Sequence, residues 1–104
     1  MSERIQPVKR ISDTIIVTFD FSDQMIPGET IGNTGVFSEL WSGVDATPSA
    51  MISGTATIDG QTITQKIIGG AYGAIYTLIA LIDTSRGQAL SSRTKIVILP
   101  YNWD

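Results

Sequence analysis

The chain has no cysteine and no histidine among its 104 residues. The first absence excludes disulfides and thiolate metal sites. The second removes the commonest general base and the commonest metal ligand. Charge is sparse too: 16% of residues are charged, with a formal balance of −3. Mild acidity argues against nucleic acid as a partner, because phosphate binding needs a dense basic face. Long apolar runs are also missing. The longest, Ala74–Ile82, is broken by Thr77 and falls far short of the roughly 20 residues of a membrane helix. The opening "MSERIQPVKRISD" is too polar for the apolar core of a secretory signal. What is present, 42% hydrophobic residues, fits one packed, soluble domain with no membrane partner.

The apolar segments are short, rich in Ile, Val, Thr, Tyr and Phe, and separated by Gly, Pro, Asn and Asp, which favours strands over helices. In "TIIVTFDF", Ile15, Val17, Phe19 and Phe21 share one face, the alternation of a half-buried strand. Irregular backbone is expected through "MIPGETIGNTG", then a short strand over Phe37–Trp41 and a loop at "SGVDATPS". Asp59-Gly60 separates two Thr/Ile-rich runs, 50–58 and 61–68, and predicts a hairpin with a type I′ turn. Ile75–Asp83 and Arg93–Leu99 form a further pair joined by "TSRGQALSS". Six to seven strands without a convincing helix predict an all-β fold, an immunoglobulin-like antiparallel β-sandwich.

Residues 69–87, "GGAYGAIYTLIALIDTSRG", invite a chemical reading. A phosphate-cradling loop would lead into a helix and carry a Lys-Ser/Thr pair; here glycines lead into a β-branched run, which suits a turn between strands. "ALIDTS" is similar to the Asp-Thr-Gly element of a homodimeric aspartic protease, with Asp83 as the catalytic acid. Ser85 and Arg86 stand where that element has small residues, and the glycines precede the aspartate. A strand end with turn-forming Asp83, Thr84, Ser85 and Gly87 is the simpler account. Asp20, Asp23, Glu29 and Asp45 could gather calcium, yet no loop has the required Asp-x-Asp-x-Asp-Gly spacing. Serines are plentiful, but without histidine a nucleophilic serine would need a lysine partner. No catalytic, cofactor or metal site is expected.

Binding fits better. In Ile75–Asp83 both faces are apolar: Tyr76, Leu78, Ala80 and Ile82 on one, Ile75, Ile79 and Leu81 on the other. A sandwich strand needs only one apolar face, so Ile79 and Leu81 mark either a covered surface or a subunit interface. Trp103 and Tyr101 follow Pro100, which ends the last strand, and aromatics at such a tail suit a partner's pocket.

The order "VTFDFSDQMIPGETI", then a Trp-containing strand, then "GGAYGAIYTLIALIDTSRGQALSSRTKIVIL" resembles small tailed-phage virion proteins. Members of that family carry Asp-Tyr-Ser-x-Asp-Trp, then Gly-Asp-Thr-Ile, then Gly-Gly-x-x-Gly-x-x-Tyr-x-Leu/Val, a Gly-Arg turn and a closing strand. Asp20-Phe21-Ser22-Asp23 stands for the first element, with Gln24 near its Trp position. Pro27-Gly28-Glu29-Thr30-Ile31 stands for the second. Gly69, Gly70, Gly73, Tyr76 and Leu78 match the third, and Arg86-Gly87 reverses the Gly-Arg order.

The resemblance implies an Ig-like sandwich in a non-enzymatic phage fibre–tail adaptor, with a head-decoration or neck protein as the structural alternative. It further implies contacts with tail, fibre, neck or capsid subunits and with copies of itself. Such a protein is made in the bacterial cytoplasm and located in the virion. The expected organisation is an extended arm over 1–13, a sandwich over 14–99 and an aromatic tail over 100–104. In the arm, Pro7 opposes helix formation, and Arg4, Lys9 and Arg10 are expected to meet acidic neighbours in an assembly.

Overall fold

A computed structural model describes residues 8–99. Within them the chain runs through seven strands: β1 (Val8–Lys9), β2 (Ile15–Asp20), β3 (Ile31–Ser42), β4 (Ile52–Asp59), β5 (Thr62–Ile67), β6 (Ile75–Thr84) and β7 (Ala89–Ile98). Two short 3-10 turns, Ser22–Gln24 and Pro48–Met51, lie in the connections. One sheet has the order β1-β7-β6-β3 and the other β2-β5-β4. The two sheets stack as an all-β sandwich consistent with an immunoglobulin-like fold. Among the described residues every pairing is antiparallel except β1 with β7, where Val8 and Lys9 run parallel beside Val97 and Ile98. That two-residue strand already belongs to a sheet, so the sandwich begins before residue 14.

The core forms where the period-2 patterns of both sheets turn inward. Val17 and Phe19 from β2, Ile63 and Ile67 from β5, Tyr76, Leu78, Ala80 and Ile82 from β6, and Ile96 and Ile98 from β7 are all buried. Phe21 and Met51 close the core from the connections. One buried polar side chain, Gln65, has a specific task. Its amide donates to the carbonyls of Ser53, Gly54 and Lys66, capping oxygens where β4 breaks register between Ser53 and Thr57. A buried acceptor that loses its donor costs about 1–3 kcal/mol.

Three local features differ from the sequence expectation. The Asp59-Gly60 hairpin forms, but Asp59 pairs with Thr62, so the two loop residues are Gly60 and Gln61. Only Gly60 has positive φ, +62°, the pattern of a type II′ turn with glycine first. The strand expected over Phe37–Trp41 extends from Ile31 to Ser42. Pairing with the ten-residue β6 carries it across Asn33 and Gly35, with register shifts between Ile31 and Asn33 and between Leu40 and Ser42. The β6–β7 connection is much shorter than "TSRGQALSS", because Ala89–Ser92 pair with Ala80–Asp83.

Candidate protein interface

The outer face of the four-stranded sheet is built by β3, β6 and β7. Leu78 and Ala80 point to the core, so the pleat turns Ile79 and Leu81 outward. Phe37 lies opposite Ile79 and Gly35 opposite Leu81. Across the other edge of β6, Arg93 faces Ile79 and Ser91 faces Leu81. The ring of Phe37 leans over Gly35, within 3.6 Å of where a side chain there would begin. Leu81 is 43% exposed, Phe37 53% and Trp41 60%, while Ile79 is half-buried among them. Trp41 sits at the β3 bulge with the Lys95 ammonium 4.7 Å from its ring centre, an exposed cation–π contact of about 0.5–1 kcal/mol. A hollow of ≈ 250 Å³ opens beside Phe37 and Leu81, lined also by Asn33, Gly35, Ile82 and Asp83.

Of the residues expected at an interface, the structure thus brings Ile79 and Leu81 onto one exposed apolar face. It adds Phe37 and Trp41, which the sequence reading treated only as strand residues. Their signal was present as alternation: Phe37 occupies the outward parity of β3 once Val36 and Ser38 are known to be inward.

Lys9 departs from the expectation of an outward cation. It is 1% exposed, and its ammonium donates to the carbonyls of Arg10 (2.7 Å), Ile11 (3.1 Å) and Gly69 (2.6 Å). Lys9 pairs with the inward Ile98, so the pleat sends its side chain between the sheets, where carbonyls of two loops replace water. Burial lowers its pKa, opposed by the nearby charge of Asp13. Arg10 is exposed, in a turn closed by its backbone amide on Asp13 Oδ2. Arg4, Tyr101 and Trp103 lie outside the described residues.

The glycine-rich stretch is a crossing between sheets. Gly69, Gly70 and Gly73 all have positive φ, and a Cβ at Gly70 would stand 2.8 Å from Ile98. Tyr76, at the start of β6, pins this loop. Its hydroxyl accepts from the Ala71 amide (2.8 Å) and donates to Asp45 Oδ2 (2.6 Å). Burial, with the hydrogen bond to Asp45, pushes the Tyr76 hydroxyl up to about 12. The same bond, helped by the Thr47 amide, holds the Asp45 carboxyl below its ordinary range.

Asp83 is the penultimate residue of β6 and exposed. The Thr84 and Ser85 that follow it build a turn: Thr84 Oγ1 accepts from the amides of Arg86 and Gln88. Ser85 ties this turn to another motif, its amide donating to the Thr30 carbonyl and its hydroxyl accepting from the Thr30 amide. Beside it, Arg86 lies 3.9 Å from the enclosed carboxylate of Glu29. Hydrogen bonding with Thr84, then with the Ile26 amide, and the charge of Arg86 hold that carboxyl low against the opposing pull of burial.

The "PGETI" and "TSRG" segments, more than fifty residues apart, are therefore one structural joint. The lysine partner that a nucleophilic serine would need is offered at one Ser-x-x-Lys spacing, Ser92 to Lys95, which lies in β7, where Ser92 pairs with inward Ala80 and Lys95 with outward Thr77. The two side chains point to opposite faces and form no dyad. Among the described residues no helix is long and apolar enough to cross a membrane. No group of three or more acidic side chains there is placed to hold a metal ion.

No curated protein sequence matches the chain significantly. A family model does: that of the podophage GP4 fiber-tail adaptor protein gp77, matched by residues 9–97. The match runs from Lys9 in β1 to Val97 in β7, through both sheets and both halves of the Glu29–Arg86 joint. The chain belongs to this phage fibre–tail adaptor family, whose role is structural.

Proposed function

We propose that the protein is a non-enzymatic connector of the phage particle that joins tail and fibre subunits by protein–protein contacts. The outer face of β3-β6-β7 is its principal docking surface. One observation carries the reading: Phe37, Leu81 and Trp41 stand exposed with half-buried Ile79 on the outer face of one sheet. A face of this kind excludes water when a partner covers it, and aromatic anchors dominate the binding energy of such surfaces. Arg93 and Lys95 on its β7 border suit a partner with an acidic rim. Arg4, Arg10, Tyr101 and Trp103 contribute from the two ends of the chain, as contacts with neighbouring subunits or with further copies of this protein.

The double substitution Phe37→Asp/Leu81→Asp tests the proposal. The expected result is a folded protein, with unfolding behaviour close to the parent, that no longer enters particles in complementation of a deletion phage. Normal incorporation would refute the docking surface. Asp83→Asn is the companion variant: loss of a hydrolytic activity on a peptide substrate would instead establish the protease reading.

A further inference from the structure

The charges on the outer face of the four-stranded sheet are sorted by strand. Three rows cross β3, β6 and β7: Glu39–Thr77–Lys95, Phe37–Ile79–Arg93 and Gly35–Leu81–Ser91. Glu39 shares the outward parity of Phe37 and is exposed, as is Arg93. Lys95 is outward too, since its ammonium lies over the Trp41 ring. A carboxylate therefore stands on the β3 border and two cations on the β7 border, about 10 Å apart across two strand spacings. Apolar Ile79 and Leu81 of β6 lie between them.

A face sorted in this way is complementary to itself. A two-fold axis lying in the interface along β6 turns a second copy over, so that its β7 covers β3 and each row stays level. Glu39 then meets Lys95 of the second copy, and Lys95 meets that copy's Glu39. Phe37 meets the second copy's Arg93, a guanidinium over an aromatic ring, while Ile79 and Leu81 meet their own counterparts. The strands of the two sheets run aligned, which is how sandwich sheets stack. An axis across the strands does worse: it sets Lys95 on Ser91 and Glu39 on Gly35, leaving the charges unmatched. Charge thus selects both the partner and the axis. Asp83, exposed on the same face of β6, lies about 13 Å from Ile79, at the rim, where water and salt screen it from its counterpart.

We propose that the outer face is taken by a second copy of this chain. Two copies pair face to face about an axis along β6, through reciprocal Glu39–Lys95 ion pairs flanking an Ile79–Leu81 seam. The pairing rests on the reading of this face as a docking surface and names its occupant. Three strands span only about 14 Å, short of a standard interface, so a weak, micromolar pair is expected.

Sedimentation equilibrium of the full chain, across a micromolar concentration series, tests the pairing. The parent should follow a monomer–dimer equilibrium that weakens as salt is raised. Glu39→Lys and Lys95→Glu each set like charges opposite one another twice, and each should weaken the dimer about tenfold or more while remaining folded. The double swap Glu39→Lys/Lys95→Glu restores both pairs and should recover most of the parent's affinity. A monomeric parent, single swaps that leave the dimer intact, or a double swap no better than the singles would overturn the proposal. If the parent stays monomeric while Phe37→Asp/Leu81→Asp is still excluded from particles, the pairing falls and the face belongs to a tail or fibre subunit. If pairing follows the swaps while Phe37→Asp/Leu81→Asp enters particles normally, the pairing stands and the connector reading of the face falls.

Discussion

β6 presents two apolar faces, and the sandwich uses them differently. Tyr76, Leu78, Ala80 and Ile82 are wholly or nearly enclosed, whereas Ile79 is half-buried and Leu81 open. The opposite sheet has a more conventional exterior, with Thr18 and Asp20 on β2 and Thr62, Thr64 and Lys66 on β5, alongside exposed Ile16. Both sheets have a similar inner face. Among the described residues, it is the four-stranded sheet that gathers aromatic and aliphatic side chains outside, where Gly35 leaves room for the ring of Phe37. An inner apolar face supports folding; the outer one, left open, is the face proposed above for a partner.

Breaking the inner face should have the largest effect. Leu78→Ala is expected to cost about 2–5 kcal/mol in chemical denaturation, the range for emptying an enclosed leucine site. On the same strand, Leu81→Ala should change stability by less than about 0.5 kcal/mol, as exposed positions do. Equal losses at the two positions would remove the distinction between the faces.

Lys9→Met comes next. It keeps most of the volume but leaves the carbonyls of Arg10, Ile11 and Gly69 without their common donor, at an expected cost of about 1–3 kcal/mol. An unchanged midpoint would show that the carbonyls find other donors.

Smaller still is Tyr76→Phe, which keeps the ring in the core and removes only the loop pin, for about 1 kcal/mol. Asp45 in this pin is also one of three carboxylates that give a pH signature. Asp45, Glu29 and Asp20 all have carboxyl pKa values below their ordinary range. Their stabilising contribution is complete above the unfolded carboxylate range, near pH 4, and fades as pH falls through the depressed native values. Stability measured against pH should therefore drop on the acid side, and Asp45→Asn should shallow that drop. An identical acid profile in Asp45→Asn would locate the dependence elsewhere.

The alternation of β2 and β6, the Asp59-Gly60 punctuation and the lack of cysteine and histidine were local properties. They establish an all-β fold and place Phe19, Tyr76 and Leu78 on apolar strand faces without reference to any tertiary contact. A short-range pattern suffices because a strand's parity decides which side chains share a face. The same parity singled out Ile79 and Leu81. Phe37 alternates with Val36 and Ser38, but only the β3–β6 register shows which parity faces out and sets it opposite Ile79. Lys9 shows the limit most clearly: its charge suggests the surface, but two residues pairing with β7 turn it inward under three carbonyls. Glu29 and Arg86 likewise become partners only when the β2–β3 and β6–β7 connections meet at one end of the sandwich. Composition and periodicity determine which residues need burial, whereas the long-range pairing of strands decides which polar groups are buried with them.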